Sequence, residues 1–240
     1  MRGFFVAGTD TGVGKTIVSS GLLRLAARQG MTLVPFKPAE SGCRGGVPAD
    51  ATRLRAAARL AHLPLEAICP YAFRAPVAPA AASPLLLTRA NLRHKARALA
   101  RLAAPAPAPL LVEAAGGLLS PYAPNLTAAD LADAFAMPVL LIARNALGTI
   151  NHTALAVREL AGRSRPLLAI LLVATKQASR TEAAQHNPAL IASLTGIEPA
   201  LIPHFRRPTA DALADYLDRT GIAARIFAAA RLRPTASRRR

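Results

Sequence analysis

The chain has 240 residues, of which 52% are hydrophobic and 18% are charged, a composition that excludes a disordered protein. The 30 basic and 13 acidic residues give a net charge of +17, but the basic residues are mostly scattered arginines, which does not favour nucleic acid as a partner. Two cysteines are too few for a disulfide scaffold, and no apolar run approaches the roughly 18 to 20 residues that span a bilayer. We therefore expect a cytoplasmic protein that does not interact with membranes.

Short apolar segments alternate with segments of helical periodicity along the chain. The predicted strands are residues 3–7, 33–36, 110–113, 139–143, 168–173 and 200–203. The predicted helices are residues 16–28, 51–60, 92–102, 127–135, 149–160 and 182–193. Apolar strands separated by helices predict an α/β fold with a single doubly wound, mostly parallel sheet and helices on both faces.

We expect one domain over residues 1–232 and a basic tail without fixed structure over residues 233–240. A Pro-rich segment over residues 70–84 interrupts the alternation of strands and helices. We interpret it as a loop, and its length is typical of loops that carry function.

The strongest motif is GTDTGVGKT at residues 8–16, directly between the first predicted strand and the first predicted helix. In that position, glycine N–H groups and a helix N-terminus can surround a phosphate, while Lys15 reaches the β- and γ-phosphates and Thr16 offers a hydroxyl to Mg²⁺. The first glycine stands one residue further from the lysine than in the template GxxxxGK[ST]. The flanking strand and helix still favour nucleotide binding and a P-loop NTPase-like fold.

Three charged residues are expected at the same edge of the sheet. Lys37 follows the second predicted strand, Asp50 precedes a predicted helix, and Glu113 ends the third strand. Because the carboxyl ends of parallel strands line one crevice, Lys37 should face the phosphates. Burying Glu113 at the end of an apolar strand is costly without a cation or donors, so we expect it to bind a metal ion.

Four segments in the same order and at similar intervals resemble the dethiobiotin synthetase family: GTDTGVGKT at 8–16, FKPAESG at 36–42, LVEAAGG at 111–117 and LGTINH at 147–152. The resemblance implies that ATP, with Mg²⁺, drives the carboxylation and ring closure of 7,8-diaminononanoate with CO2 to dethiobiotin. A carbamate and a carbamic-phosphoric anhydride are the implied intermediates. It also implies a homodimer with the site at the subunit interface.

The resemblance further implies roles for individual residues. Lys37, Lys15 and Thr11 are expected to be catalytic. Ser41 and Asn151 are expected to bind the substrate, with Asn151 supplied by the neighbouring subunit. The expected metal ligands are Thr16, Asp50 and Glu113. The expected nucleotide-binding residues are Gly12, Val13, Gly14, Lys15, Thr16, Ile17, Asp50, Glu113, Ala114, Ala115, Gly116, Pro203, His204 and Phe205.

The expected base-reading side chains are replaced in this chain. Many members of the family carry an Asn-Asp pair after the fifth strand that reads the adenine edge, where this chain has Ala174, Thr175 and Lys176. When another base binds to a site without those polar side chains, no polar side chain is left unpaired, so the wrong base carries no penalty. We therefore expect other nucleoside triphosphates to replace ATP.

Two other interpretations stay open. One is another phosphate-loop amidoligase that acts on a different acid. The other, from a different class, is a partitioning-type ATPase switch that binds DNA. Relatives of that second class carry a signature lysine where this chain has Asp10, which weakens the interpretation.

Overall fold

The computed structural model describes residues 1–82, 87–176 and 181–233. The strands are β1 (Gly3–Gly8), β2 (Val34–Phe36), β3 (Glu40–Ser41), β4 (Ala72–Phe73), β5 (Leu110–Glu113), β6 (Pro121–Ala123), β7 (Leu126–Thr127), β8 (Val139–Asn145), β9 (Leu167–Ala174) and β10 (Ala200–Ile202). The helices are α1 (Lys15–Arg28), α2 (Ala49–Ala57), α3 (Leu65–Ile68), α4 (Pro79–Ala82), α5 (Arg89–Leu102), α6 (Ala128–Phe135), α7 (Thr149–Gly162), α8 (Glu182–Thr195), α9 (Ala210–Arg219) and α10 (Ile222–Ala229).

Six strands form one parallel sheet in the order β10-β9-β8-β1-β5-β2. The predicted doubly wound parallel sheet is thereby confirmed. The chain first builds the sheet on one side of β1, through β2 and β5, and then on the other side, through β8, β9 and β10. The carboxyl ends of β1, β5 and β8 therefore border the crevice at a topological switch point, where ligands bind in open α/β sheets.

Helices cover both faces of the sheet, as predicted. Along β1, Phe4 and Val6 pack into one apolar cluster together with residues of α1, α9 and α10. Phe5 and Ala7 point to the opposite face and pack into a second cluster with residues of α5 and α6. This division follows from the two-residue period of a strand, whose successive side chains point to opposite faces. No helix in the described part of the chain is long and apolar enough to cross a bilayer.

Two segments differ from the prediction. The interpretation of residues 70–84 as a loop is wrong within the described residues, because they include β4 and α4; Pro84 lies outside them. The predicted helix over 51–60 begins earlier and ends at Ala57, since Arg59 has a left-handed φ of 56° that stops the helix. Residues 234–240 of the predicted tail also lie outside the described residues.

Helices α9 and α10 were missed by the sequence prediction. The side chain of Thr209 accepts a hydrogen bond from the N–H of Ala212 and caps α9, a standard helix-start signal. Leu213 and Leu217, one helical turn apart, are buried in the cluster that contains α1. The apolar spacing and the cap were both readable in the sequence.

Candidate active site

The phosphate loop connects β1 to α1. Gly14 has a φ of 103° and Gly12 a φ of 70°, backbone conformations that residues with a side chain rarely adopt. A Cβ on Gly14 would also lie 3.1 Å from Cγ1 of Val173, so both the backbone and its neighbours require glycine there. The N–H of Thr9 donates to the carbonyl of Ile142 at 2.9 Å and holds the loop against β8.

Lys15 begins α1 and reaches across the loop. Its Nζ donates to the carbonyl of Asp10 at 2.9 Å and to the carbonyl of Gly116 at 2.6 Å. Burial, together with repulsion from the nearby charge of Lys37, lowers the pKa of Lys15 to about 8. Within the described residues, this desolvated ammonium group is bound by carbonyl oxygens alone, and an anion can take their place.

Lys37, Glu113 and Thr16 form a buried polar cluster. Oε1 of Glu113 accepts from Nζ of Lys37 at 2.8 Å and from Oγ1 of Thr16 at 2.8 Å. The same Nζ lies 3.3 Å from Oδ2 of Asp50. Burial by itself would lower the pKa of Lys37, but the carboxylates of Glu113 and Asp50 outweigh it and raise the pKa above its usual range. Lys37 thus provides, within the protein, the cation that the buried Glu113 was expected to need.

Glu40 fixes the start of α2 and was missed by the sequence prediction. Its Oε1 accepts from the N–H of Asp50 at 2.9 Å, and its Oε2 accepts from the N–H of Ala51 at 3.0 Å. These N–H groups belong to the first turn of α2, which has no other intrahelical partner for them. Glu40 therefore orients the turn that carries Asp50 toward Lys37. The signal was its place in the FKPAESG segment.

A cavity of about 580 Å³ opens between the phosphate loop, β3 and α4. It brings together many of the predicted site residues: Thr11, Gly12, Gly14, Lys15, Thr16, Ile17, Lys37, Ser41, Asp50, Ala115 and Gly116. Glu113 and Ala114 are fully buried at the end of β5, and Val13 is buried in the cluster on the α1 face. The structure therefore unites the residues of the first three motifs around one volume.

Besides the buried Val13, Glu113 and Ala114, four predicted site residues do not line this cavity. Asn151 is exposed on α7, and Pro203, His204 and Phe205 follow β10. The ring of Phe205 makes an edge contact with that of Tyr216 on α9, with the ring centroids 5.9 Å apart. The sheet order places these residues on the β8 to β10 side of the phosphate loop, away from Lys37.

Further cavity-lining residues were not predicted as site residues: Arg53, Pro76, Val77, Ala78, Pro79 and Ser120, together with Glu40. Four of them belong to the Pro-rich segment, and its length had indicated a functional loop. Ser120 was harder to predict. Its Oγ accepts from the N–H of Gly117 at 2.8 Å and shapes the turn after β5.

The oxygen atoms around Glu113 fit a hard divalent cation. Oε2 of Glu113 is buried and has no hydrogen-bond partner, so it has an unused coordination position in a region closed to solvent. The Thr16 hydroxyl and the Asp50 carboxylate supply further oxygen atoms, which Mg²⁺ prefers. No group of three or more His, Cys, Asp or Glu side chains within the described residues could hold a metal alone. A bound Mg²⁺ would therefore also need oxygen ligands from phosphate or water.

Comparisons with known proteins agree with this geometry. A family model described as an AAA domain matches residues 2–203. The chain is 50% identical over 204 residues to the ATP-dependent dethiobiotin synthetase BioD of Anaeromyxobacter sp. (strain K), covering 85% of this chain and 90% of that protein. It is 34% identical over 201 residues to the protein of the same name from Bacillus subtilis subsp. natto, covering 82% and 84%.

Among solved structures, the cell division protein complex MinC:MinD of Aquifex aeolicus contains a chain similar in fold. The TM-score is 0.55 at 12% sequence identity, and the match covers 96% of this chain and 94% of that chain. At that identity the likeness concerns the fold alone.

Proposed function

The chain belongs to the family of ATP-dependent dethiobiotin synthetases, and we propose that it closes the ureido ring of dethiobiotin through a phosphorylated carbamate. As a member of this family it is an ATP-dependent ligase of biotin biosynthesis. The proposal concerns the route: one amine of 7,8-diaminononanoate adds to CO2 and loses a proton to give a carbamate. A carbamate oxygen then attacks the γ-phosphorus of ATP, ADP leaves, and the second amine attacks the mixed anhydride and releases phosphate.

The arrangement of Lys15 and Lys37 carries the proposal. Both ammonium groups line one cavity next to the phosphate loop, and both are buried. An anionic carbamate that approaches a triphosphate is repelled by its negative charge, so the reaction needs fixed positive charge more than it needs a base. Two preorganised cations in a region of low dielectric supply that charge without reorganising.

Thr11 and Ser41 are proposed to bind the carbamate. Both residues line the cavity, on the phosphate loop and on β3. Oγ of Ser41 is buried and has no hydrogen-bond partner, so it can donate to a substrate oxygen without breaking an existing bond. A ligand that displaces water from this hydroxyl without offering an oxygen leaves the hydroxyl unpaired. The site therefore favours a substrate that has an oxygen at that point.

Mg²⁺ is proposed to be held by Thr16, Asp50 and Glu113. When bound, the ion would neutralise charge that develops on the phosphate oxygens. Lys37 already contacts Glu113 and lies 3.3 Å from Oδ2 of Asp50, so the protein holds both carboxylates in place before the ion arrives.

The residues proposed for the base are Pro203, His204 and Phe205, through their backbone groups. Without an Asn-Asp pair at Ala174 and Thr175, we propose that other nucleoside triphosphates also serve.

A homodimer is proposed from the surface around Asn151. Leu147, in the turn before α7, is 91% exposed, and Leu155, one helical turn after Asn151, is 55% exposed. On α8, which packs against α7, Leu190 and Leu194 are exposed as well. Large apolar side chains exposed on two adjacent helices are typical of an interface. A second copy bound there would cover the leucines and bring Asn151 toward a neighbouring site.

The proposed reaction is tested with the purified full chain, diaminononanoate, Mg²⁺ and ¹⁸O-labelled CO2, with each of the four common nucleoside triphosphates in turn. We expect dethiobiotin by mass spectrometry and one labelled oxygen in the released phosphate, because the attacking carbamate oxygen leaves with phosphorus. Dethiobiotin with unlabelled phosphate would contradict the phosphorylated carbamate. No dethiobiotin with any nucleotide, but product from another amino or carboxylic acid, would favour a different amidoligase.

The shared site is tested by mixing two inactive variants, Lys15→Ala and Asn151→Ala. Each mixed dimer has one site that lacks both side chains and one intact site, so random mixing restores about a quarter of the activity if Asn151 acts across the interface. If Asn151 acts within its own subunit, mixing restores nothing. A chain that stays monomeric in sedimentation at assay concentrations would overturn the homodimer.

A further inference from the structure

Arg144 lies beside the phosphate loop and has no role in the reaction described above. It is near the carboxyl end of β8, paired in register with Val173 of β9. Its Nη2 donates to the carbonyl of Gly12 at 3.3 Å and would lie 3.5 Å from a Cβ on Gly12. The side chain is exposed. A guanidinium group thus stands next to the turn of the loop whose backbone is expected to hold phosphate.

No carboxylate within residues 1–82, 87–176 and 181–233 forms an ion pair with Arg144. By contrast, Arg163, which follows α7, contacts three carboxylates. A guanidinium group has five N–H donors, and among the described residues the carbonyl of Gly12 is the one acceptor that Arg144 contacts. The remaining donors can bind an anion in a bidentate manner, the geometry for which arginine is suited.

The sheet order indicates which part of a nucleotide Arg144 would meet. Lys37 and Glu113, proposed to act at the terminal phosphate, belong to the β2 and β5 side of the loop. Ala174 and Pro203, near the proposed base region, follow β9 and β10 on the other side. A nucleotide that extends between those regions passes over β1 and β8, where Arg144 stands. Its inner phosphates and sugar, and not its terminal phosphate, are the parts that reach this point.

We propose that Arg144 is a nucleotide-binding residue whose guanidinium group contacts the oxygens of the α- and β-phosphates. The inference rests on the proposed function in that the loop binds a nucleoside triphosphate with its terminal phosphate toward Lys37 and its base toward Pro203. The contact is identical for every base, so it strengthens binding without selecting adenine. This chain lacks the Asn-Asp pair that would contact the base, so its affinity for the nucleotide comes from contacts to the phosphates.

The experiment measures binding of ADP and CDP to the full chain by calorimetry, without diamine or CO2, for the wild type, Arg144→Met and Arg144→Lys. The matched control is Arg97→Met, an exposed arginine on α5, which packs against β2, α3 and α6. We expect Arg144→Met to raise the Kd of ADP and of CDP by the same factor of about ten, with a smaller loss in Arg144→Lys, since a charge-assisted bidentate contact is lost. The slope of log Kd against log salt should also become shallower, which a merely structural role in holding Gly12 would not cause.

Three results separate the outcomes. A Kd in Arg144→Met within twofold of the Arg97→Met value would overturn the inference. A loss for ADP that is absent for CDP would also overturn it, because the contact would then be to the base. If the wild type binds both nucleotides but makes no dethiobiotin, the proposed function fails while the role of Arg144 is still decided by the binding data.

Discussion

Nζ of Lys37 lies 2.8 Å from Oε1 of Glu113, where the side chain of Glu113 is fully buried and that of Lys37 is 4% exposed. Each of the two charges can be buried because the other compensates it, since an isolated ion in the interior costs several kcal/mol. The pair therefore links the stability of the fold to the residues proposed for the reaction.

Lys37→Met should destabilise the protein as well as slow it. We expect the free energy of unfolding in urea to fall by about 3 to 5 kcal/mol, because Glu113 keeps a buried charge without its cation. The double variant Lys37→Met/Glu113→Gln should recover much of that loss, since neither charge remains. Costs that simply add in the double variant would show that the two residues are not coupled in the folded state.

Lys15→Ala should affect turnover and leave the fold nearly unchanged. In the part of the chain that the structure describes, its ammonium group binds two backbone carbonyls and no carboxylate, so its removal takes no ion-pair partner from a buried charge there. We expect kcat for dethiobiotin formation to fall more than about a hundredfold, because one preorganised donor at a transition state is worth about 3 to 4 kcal/mol. Lys95→Ala, whose lysine lies over the ring of Tyr71, is the matched control and should keep normal turnover. Near-normal kcat in folded Lys15→Ala would remove Lys15 from the reaction.

Glu113→Gln should change the Mg²⁺ requirement. The amide keeps the shape of the side chain and loses the charge that a hard cation prefers. We expect the Mg²⁺ concentration for half-maximal activity to rise, with part of the activity recovered at saturating Mg²⁺. The control is Glu66→Gln on α3, whose side chain is exposed. An unchanged Mg²⁺ titration in Glu113→Gln would contradict the metal role.

Nucleotide affinity should fall as the pH rises above about 8. Burial and the charge of Lys37 lower the pKa of Lys15 to about 8, so the free protein loses this proton in mildly alkaline solution. A bound phosphate favours the protonated form, so binding takes up a proton above that pH and weakens as the pH rises further. Calorimetry of ADP binding between pH 7 and pH 9.5, in two buffers of different ionisation enthalpy, measures the uptake. Lys15→Met, which has no proton to gain, should abolish it; equal uptake in the variant would assign the proton to another group.

Base discrimination should be weak. With Ala174 and Thr175 in place of the Asn-Asp pair, adenine has lost the side chains expected to pair with its edge. We expect CTP, GTP or UTP to support dethiobiotin formation within about tenfold of ATP in kcat/KM, which corresponds to roughly 1.4 kcal/mol. A preference for ATP above a hundredfold would show that backbone groups near Pro203 to Phe205 read the base without those side chains.

The features of this protein that depend on contiguous residues could be predicted from its sequence. The phosphate loop at residues 8–16 and the alternation of strands and helices are local patterns, and they predicted the parallel sheet and its phosphate-binding edge. Lys37 and Glu113 were placed at that edge because a parallel sheet brings the carboxyl ends of its strands together.

The contacts between residues far apart in the chain follow from the tertiary structure alone. Lys37 and Glu113 are 76 positions apart, and local pattern could not show that their side chains form an ion pair. Arg144 contacts Gly12, 132 positions away, only because β8 lies beside β1 in the sheet. Which strands become neighbours is set by the packing of both faces, a property of the whole chain, so contacts of this kind follow from the fold and not from any single motif.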